Sequence, residues 1–311
     1  MTGSGNLRGT VGWAVFCMVC AGCGRPMLIV DDALVRPDGS TVLTARLLRM
    51  SVASMHEARP DETVQFFLDG RSVGQARTDE EGLAGVACKV PDGTTPHIKA
   101  VTISEKTRLE AEADLFRWPA DRTVIVVDID GTISRTDYKE VLLGYQDDGS
   151  EPMRHSARTL RRWTEDYTIA YLTARPRILL DKTRQWLETH GYPRGVVLVA
   201  PRTRQLLRQR RYKTQMLHTL RRHWPNVRIG IGNTGSDAHA YGANDMLSVV
   251  VAPEPDDDFG YHSIQLRNWE AMSRLFAANH DLFTDPTRLE HAIESGGQVV
   301  LPLTRYVPGD D

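Results

Sequence analysis

Hydrophobic and polar positions follow two different periods along this chain, and each period predicts a different architecture. In the first part they alternate with period two, which predicts half-buried β-strands. The predicted strands cover 41–49, 62–70, 83–90, 97–104 and 109–118. Turn signals such as Asp69-Gly70 separate these strands, without helical patterns between them. We therefore expect an all-β, immunoglobulin-like sandwich over residues 26–118.

From residue 119 onwards, apolar strands alternate with amphipathic helices. The run 123–134 (TVIVVDIDGTIS) begins with a strand that is apolar on both faces, as in a buried parallel sheet. Further strands are predicted at 167–173, 195–200, 227–233 and 246–252. Helices are predicted at 153–165, 177–190 and 211–223, with helical sequence again at 268–280 and 285–293. This alternation predicts a doubly wound parallel sheet of the α/β class over residues 119–311.

Composition narrows the class of protein without identifying its activity. The 311 residues carry a formal net charge of −2 and 25% charged residues, as expected for a soluble globular protein and not for a nucleic-acid binder. Of the four cysteines, Cys88 stands far from the other three, so we expect no disulfide framework. Cys17, Cys20 and Cys23 have part of an iron–sulfur spacing, but no fourth cysteine lies nearby, so we predict no cluster there.

The first 25 residues resemble a leader sequence. Arg8 precedes an apolar block at 11–22, which is too short to span a bilayer comfortably and ends in small residues. Cys23 follows Ala-Gly, which is similar to the lipid-attachment site of bacterial lipoproteins. We expect a signal peptide in residues 1–25 and an exported or membrane-anchored protein. The alternative is a cytoplasmic protein whose leader is not a signal.

Polar residues gather at the predicted carboxyl ends of the parallel strands, where ligands of such sheets bind. Asp128 and Asp130 end the first strand, Thr173 the second, and Asn233 the fourth. Two carboxylates so close together repel each other unless a cation lies between them. These residues therefore predict a magnesium-assisted site at this edge of the sheet.

The order of these residues resembles the four motifs of the haloacid dehalogenase (HAD) superfamily, over about residues 119–255. DIDGT matches the first motif, YLTAR the second, Lys213 the third and GNTGSD the fourth. The resemblance implies that Asp128 is a nucleophile that forms an aspartyl-phosphate, and that Asp130 is the general acid and base. It also implies that Thr173 and Lys213 contact the transferred phosphoryl group. The substrate-binding set implied in this way is Gly131, Thr132, Thr173, Ala174, Arg175 and Lys213.

The same resemblance implies Mg²⁺ as the cofactor. Its predicted ligands are Asp128, the backbone carbonyl of Asp130, and a side chain of the fourth motif. Asn233 stands where the superfamily usually has aspartate, and Asp237 follows four residues later. We expect Asn233 and Asp237 to share the metal site, and which of the two contacts the ion directly stays open.

The fourth motif narrows the resemblance. GNTGSDAHAY, together with DIDGTIS and IAYLTARP, is similar to the lipin-type (LNS2-like) phosphatidate phosphatases, whose pattern is close to GN-x-x-x-D-x-x-x-Y. This similarity implies hydrolysis of phosphatidate to diacylglycerol and phosphate. It covers the catalytic part only. In the preceding part, FLDGRSVGQARTDEEGLAGV resembles bacterial immunoglobulin-like modules, for which we predict a spacer or docking role.

Spacing and charge favour a large substrate. Members of the HAD superfamily that act on small metabolites often carry a folded cap over the site. Here only one helix, one strand and a loop separate Thr173 from Lys213, so the resemblance implies a capless, open site. Arginines crowd the loop at 202–213, which predicts contact with an anionic membrane surface; a solvated basic face is the alternative. We expect a phosphorylated substrate, in particular a membrane phospholipid.

Two other functions stay open. One is a capless phosphatase for phosphoproteins or small phosphate esters, which only substrate assays would separate from a lipid phosphatase. The other is a non-catalytic phosphatidate-binding module, against which the presence of Asp128, Asp130, Thr173 and Lys213 argues. Lone histidines receive no catalytic or metal-binding role: His56, His97, His155, His239 and His262.

Overall fold

The computed structural model describes residues 25–51, 55–93, 97–135, 150–200, 209–254, 259 and 263–295. The predicted leader with Cys23, three arginines of the basic loop (Arg202, Arg204 and Arg208) and His262 lie outside these residues. In the described part of the chain, no helix is both long enough and apolar enough to cross a membrane.

The amino-terminal half of the described chain forms two β-sheets. Its strands are β1 (Pro26–Val30), β2 (Ala33–Val35), β3 (Ser40–Ser51), β4 (Met55–Ala58), β5 (Thr63–Leu68), β6 (Arg71–Arg77), β7 (Leu83–Lys89), β8 (His97–Ser104) and β9 (Thr107–Arg117). One sheet has β3 paired with β1, β4 and β7, and the other has the order β2-β9-β8-β5-β6. The described pairs are antiparallel except β2 with β9. Apolar side chains from both sheets form one core, as in a sandwich.

Local sequence explains this sandwich. In β5, Val64, Phe66 and Leu68 are buried while the residues between them are more exposed, so the predicted alternation is confirmed. The predicted turn at Asp69-Gly70 joins β5 to β6 with φ angles of 47° and 73°. Positive φ at both central residues is what a tight type I′ hairpin turn needs, and Asp-Gly supplies it.

The second half is built on a six-stranded parallel sheet. Its strands are β10 (Val124–Val127), β11 (Thr168–Pro176), β12 (Val197–Ala200), β13 (Val227–Gly232), β14 (Leu247–Val251) and β15 (Ser263–Leu266). Their order is β12-β11-β10-β13-β14-β15, and each described neighbouring pair is parallel. The order places β10, which precedes the predicted acid pair, in the interior of the sheet. Polar groups that follow β10, β11 and β13 therefore meet at one edge.

Helices cover both faces of the parallel sheet. They are α1 (Ser156–Trp163), α2 (Leu180–Thr189), α3 (Gln209–His223), α4 (Gly235–Gly242), α5 (Trp269–Ala278), α6 (His280–Phe283) and α7 (Pro286–Glu294). Ile125 and Val127 of β10 join the apolar cluster beneath α1, α2 and α5. Val124 and Val126 point to the opposite face and join the cluster beneath α3 and α4. Every residue of β10 is buried, as its uninterrupted apolar run predicts.

The two halves make direct contact. Trp118, which directly follows β9, packs edge-on against Trp224, with ring centroids 5.4 Å apart. The side-chain amide of Asn226 donates hydrogen bonds to the carbonyls of Pro119 and Arg122, at 2.8 and 2.7 Å. Polar contacts also join the turn between β1 and β2 to the parallel sheet. The segment 118–122 is thus held against the second half by packing and by hydrogen bonds.

Candidate active site

The loop after β10 places two carboxylates at the edge of the parallel sheet. The backbone N–H of Asp128 still bonds to Ile231 of β13 at 2.9 Å, so this residue keeps its place in the sheet. The N–H groups of Thr132, Ile133 and Ser134 then converge on the carbonyl of Ile129, which closes a tight turn. The chain therefore leaves the sheet just after Asp128, and Asp130 lies in a single compact loop.

Neighbouring elements hold the carbonyls of this loop from outside. The indole N–H of Trp269, in α5, donates to the carbonyl of Thr132 at 2.9 Å. The hydroxyl of Tyr192 donates to the carbonyl of Ile133 at 2.7 Å. Each carbonyl is satisfied by a buried side chain, so the loop that carries the acid pair is fixed by packed elements.

Asp128 is buried and pairs with Lys213. The Nζ atom of Lys213, on α3, donates to Oδ1 of Asp128 at 2.7 Å and to Oδ1 of Asp237 at 2.5 Å. All three side chains are almost fully removed from solvent. Burial alone would lower the pKa of Lys213, but the charges of Asp128 and Asp237 hold it above its ordinary value. Lys213 is therefore a charged ammonium group between two carboxylates.

Asp237 reaches this cluster through the start of α4. Thr234 is the N-cap residue, and its hydroxyl donates to Oδ2 of Asp237 at 2.7 Å while accepting the N–H of the same residue at 3.3 Å. The backbone N–H groups of Asn233 and Thr234 also donate to Oδ2, at 3.3 and 3.1 Å. This capping box occupies one carboxylate oxygen and leaves the other for Lys213.

Asp130 points to a different set of partners. Arg175, near the end of β11, donates from Nη2 to Oδ1 at 2.6 Å and from Nε to Oδ2 at 3.0 Å. The hydroxyl of Thr173 donates to Oδ2 at 3.3 Å and accepts the N–H of Arg175 at 3.1 Å. A guanidinium group that meets both oxygens of a carboxylate fixes its orientation strongly. The sequence placed Arg175 at the substrate, whereas here it binds Asp130.

A second group of oxygens converges beside Asp128. The hydroxyl of Thr132 lies 3.4 Å from Oδ2 of Asp128 and 3.1 Å from Oδ1 of Asn233, so both oxygens lie close to this one hydroxyl. Gly131 has a φ of +75°, and a Cβ there would lie only 2.1 Å from Nδ2 of Asn233. Glycine at this position lets the loop of Asp128 approach the amide of Asn233 closely.

The donor atoms suit a small, hard cation. Carboxylate and amide oxygens are the ligands that Mg²⁺ prefers, and Asp128 and Asn233 present one of each from neighbouring strands. Among the described residues, no group of three His, Cys, Asp or Glu side chains has the arrangement of a metal site. Asp237 has both oxygens engaged, by Lys213 and by its capping contacts. On this geometry Asn233 is the better placed of the two candidates that the sequence left open.

The electrostatics of the acid pair also favour a cation. The pKa of Asp128 is raised to about 7, chiefly by burial and also by the negative charges of Asp237 and Asp130, while the positive charge of Lys213 opposes the shift. The ionised form of Asp128 is therefore disfavoured despite the positive charge of Lys213. A dication beside Asp128 would remove this penalty and keep the carboxylate ionised.

The structure brings most of the predicted site residues into two connected groups. One group is joined through Asp128 and consists of Asp128, Thr132, Lys213, Asn233 and Asp237. The other is joined through Asp130 and consists of Asp130, Thr173 and Arg175. Gly131 lies in the loop between them, and Ala174 is buried between Thr173 and Arg175.

Two of the histidines have contacts outside these groups. His155 lies 3.0 Å from Glu270. His239 contacts the guanidinium of Arg210, and burial together with this positive charge lowers the pKa of His239. Neither contact involves Asp128 or Asp130, so the prediction that histidines take no part in the chemistry stays a prediction.

Several residues that support the site were missed from the sequence. Thr183 of α2 accepts a bond from Nη1 of Arg175 at 3.4 Å, and Arg177 lies buried beside the same strand. A polar residue in the apolar face of a predicted helix was the available signal for Thr183. No such signal marked Arg177. It follows Pro176 in a short turn, where periodicity does not distinguish a buried arginine from an exposed one.

The fold is a parallel α/β sheet with an acid pair at one edge, and comparison with protein families covers this part of the chain. Residues 125–249 match the family model described as the PITM 1-3 LNS2 domain. The match supports the LNS2 part of the predicted resemblance, and with it a HAD-like fold and a phosphatase-type hydrolase. It covers the acid pair, Thr173, Lys213, Asn233 and Asp237. No curated protein matches the chain.

Solved structures give only weak likenesses. The MHC-like protein MILL2 is 20% identical with a TM-score of 0.21, over 29% of this chain and 40% of that chain. Tandem Ig repeats of Dlar are 14% identical with a TM-score of 0.22, over 36% and 62% of the two chains. Beta-glucuronidase 3 of Bacteroides uniformis is 9% identical with a TM-score of 0.28, over 77% and 32%. This chain thus spans less than two thirds of each, and such low scores carry no argument.

Proposed function

We propose that this protein hydrolyses a phosphomonoester through an aspartyl-phosphate, with phosphatidate as the substrate. The observation that carries the proposal is the buried Asp128, whose Oδ1 is bound by Lys213 at 2.7 Å while Asp130 stands two residues away. One oxygen of Asp128 is anchored, so the carboxylate has a defined orientation as a nucleophile. The second carboxyl group supplies a proton donor within the same loop.

The proposed reaction has two steps. An oxygen of Asp128 attacks phosphorus, the bond from phosphorus to the ester oxygen breaks, and Asp130 gives its proton to the leaving alcohol. Asp130 then takes a proton from water, which attacks the aspartyl-phosphate and releases inorganic phosphate and free Asp128. Lys213 and Thr173 bind phosphoryl oxygens and stabilise the charge that develops on them.

This role requires Asp130 to change partners. Its carboxylate is bound by Arg175 through two nitrogens, which fix its orientation away from a substrate. To protonate the leaving group, Asp130 must turn from Arg175 towards the substrate. Thr173 contacts both Asp130 and the N–H of Arg175, so it lies where this exchange would take place.

Mg²⁺ is the proposed cofactor. Asp128, the backbone carbonyl of Asp130 and Asn233 would hold it, with Asp237 as the less favoured candidate because Lys213 and Thr234 engage its oxygens. When bound, the ion neutralises negative charge on the phosphate and on Asp128. The chain's own residues then orient the substrate and transfer the protons.

The lipid substrate and the membrane contact are the finer part of the proposal. Arg210 and Arg211 are the arginines of the basic loop that the structure describes. Both are exposed at the start of α3, which also carries Lys213. Exposed arginines near the phosphate site suit an anionic membrane surface. We also infer a capless, doubly wound HAD fold, since α2, β12 and α3 are the described elements between Thr173 and Lys213.

A non-catalytic phosphatidate-binding module is the second candidate. One observation favours it: Lys213 and Asp130 both have their charges fully engaged inside the protein. The name of the matched family, PITM 1-3, belongs to other proteins and does not by itself decide between turnover and binding.

Phosphate release from phosphatidate in mixed micelles with Mg²⁺ tests the proposal. The wild type should release phosphate, and Asp128→Asn should reduce the rate by about 10³-fold or more, because the nucleophile is lost. A small soluble ester in parallel separates a lipid phosphatase from a general one. Binding of phosphatidate vesicles without release above the Asp128→Asn level would instead establish the binding module.

A further inference from the structure

One short turn of the sandwich makes polar contacts with two parts of the second half. Between β1 and β2 the chain passes from one sandwich sheet to the other, and this turn carries Asp31 and Asp32. Oδ2 of Asp31 meets Nη2 of Arg177 at 2.7 Å, and Oδ1 of Asp32 meets Nη2 of Arg184 at 2.6 Å. Oδ2 of Asp32 also accepts the N–H of Val197 at 2.9 Å. Two neighbouring carboxylates therefore hold two different parts of the second half.

Arg177 lies at a position that matters for the acid pair. It begins the 3-10 turn Arg177–Leu179 directly after β11, two residues beyond Arg175. Pro176 stands between the two arginines with φ −67° and ψ 147°, and its ring keeps φ near that value. A displacement of Arg177 is therefore passed to the backbone of Arg175, which holds Asp130.

The guanidinium of Arg177 depends on Asp31. Its side chain is only 10% exposed, and its Nε and Nη1 atoms are buried without a hydrogen-bond partner. Within the described residues, Asp31 is the polar partner of this group. A buried charge that loses its counter-ion is strongly destabilised, so Arg177 would move towards solvent without Asp31.

We propose that Asp31 is a positioning residue for the candidate active site, acting through Arg177. The ion pair anchors the end of β11 so that Arg175 and Thr173 hold Asp130 in one orientation. The sandwich then helps to position the acid pair, in addition to the spacer or docking role that its sequence predicts. This inference rests on the proposed function, in which Asp130 is the acid and base.

Asp32 provides a matched control in the same turn. Its side chain is 3% exposed, against 21% for Asp31. It is also paired with an arginine, but its partners are Arg184 in α2, the N–H of Val197 in the edge strand β12 and the N–H of Asp114 in β9. None of these partners contacts the acid pair. Replacing either aspartate should weaken the interface, whereas only loss of Asp31 should reach the acid pair.

Steady-state kinetics of the full chain on p-nitrophenyl phosphate with Mg²⁺ tests this difference. Asp31→Asn should lower kcat on the order of 10-fold and leave KM within about twofold, because a misplaced acid slows chemistry more than binding. Asp32→Asn should leave kcat within about twofold while lowering the melting temperature similarly. Equal losses of kcat in the two variants would overturn the inference.

Amide hydrogen exchange gives a readout that does not depend on turnover. Asp31→Asn should speed exchange across 173–179, and Asp32→Asn should speed it at 195–198 instead. Arg177→Gln should resemble Asp31→Asn, and the double variant should lose no more kcat than either single one. Unchanged exchange at 173–179 in Asp31→Asn would contradict the proposal. If the wild type releases no phosphate, the proposed function is refuted. Hydrogen exchange still decides separately whether Asp31 anchors the end of β11.

Discussion

Gly131 occupies a backbone conformation and a space that suit glycine alone. Its φ is +75°, and the Cβ of any other residue would collide with the amide of Asn233. We expect Gly131→Ala to push Asn233 away from Asp128 and to lower the rate of phosphate release by about 10-fold or more. The strained backbone should also lower the free energy of unfolding by about 1 kcal/mol. Phosphate release and urea unfolding measure the two effects.

Gly70→Ala is the matched control for that substitution. Gly70 has a φ of +73° in the β5–β6 turn, and a Cβ there would meet nothing within 4 Å. The control should show a similar loss of stability with an unchanged rate of phosphate release. A Gly131→Ala protein that keeps the wild-type rate would mean that the position of Asn233 is unimportant for catalysis.

The sequence predicted which residues would gather at the site better than it predicted their contacts. Asp128, Lys213 and Asp237 were assigned to one site because each lies at the end of a strand or the start of a helix. In the structure, Lys213 contacts both carboxylates. The pairing of Asp130 with Arg175 was not foreseen. Alternation along β11 cannot tell whether an arginine beside the site faces a substrate or another protein side chain.

At the scale of secondary structure, the N-terminus of α4 is the element on which the cluster around Lys213 depends. Thr234→Ala removes the hydroxyl that caps α4 and binds Asp237, so we expect a loss of about 1 kcal/mol in unfolding free energy. The freed carboxylate of Asp237 should also shift relative to Lys213. The rate of phosphate release should therefore fall, by roughly 3-fold to 10-fold, and Thr234→Ser should restore it.

Asp285→Ala tests whether that loss is more than a matter of stability. Asp285 caps α7 by accepting the N–H groups of Thr287 and Arg288, each at 3.0 Å, without contact to the acid pair. It should lower the unfolding free energy by a similar amount and leave the rate unchanged. Equal rates for Thr234→Ala and Asp285→Ala would contradict a special role for the α4 cap.

Strands were predictable from sequence where burial left a clear pattern. The run of β10 is apolar throughout, and β5 alternates, so both were found. β6 was missed because it is an edge strand with few apolar residues, and those that pack on the core, Val73 and Ala76, are only partly buried. The short strands β1, β2, β4 and β15 were missed as well, since three to five residues carry too little periodicity. The predicted helix at 177–190 begins instead as the 3-10 turn Arg177–Leu179.

For the whole molecule, the raised pKa of Asp128 links stability to pH and to metal. The carboxyl has a pKa of about 7 when folded, against an ordinary value of 3.8, so the folded state binds its proton more tightly. Its contribution to stability is complete below about pH 4 and is lost as pH rises through about 7. Without divalent cations, the unfolding free energy of the wild type should therefore fall across this range more than that of Asp128→Asn.

Urea unfolding at pH 5 and pH 8, with EDTA or with Mg²⁺, measures this linkage. Mg²⁺ should stabilise the wild type more at pH 8 than at pH 5, because the ion binds the ionised carboxylate. Asp128→Asn should show little response to Mg²⁺ at either pH. A response to Mg²⁺ as large in Asp128→Asn as in the wild type would place the ion elsewhere.

The packing of the sandwich against the sheet bears on how this chain can be divided in the laboratory. Ile29 and Leu48 of the sandwich are buried in the same apolar cluster as Tyr171 and Tyr192 of the second half. A recombinant fragment that starts at residue 119 would lack both side chains and would bare an apolar patch next to arginines without their counter-ions. Such patches drive self-association. The boundary that the change of hydrophobic period suggests is thus a poor place to truncate, and inactivity of that fragment would say nothing about the chemistry of the intact protein.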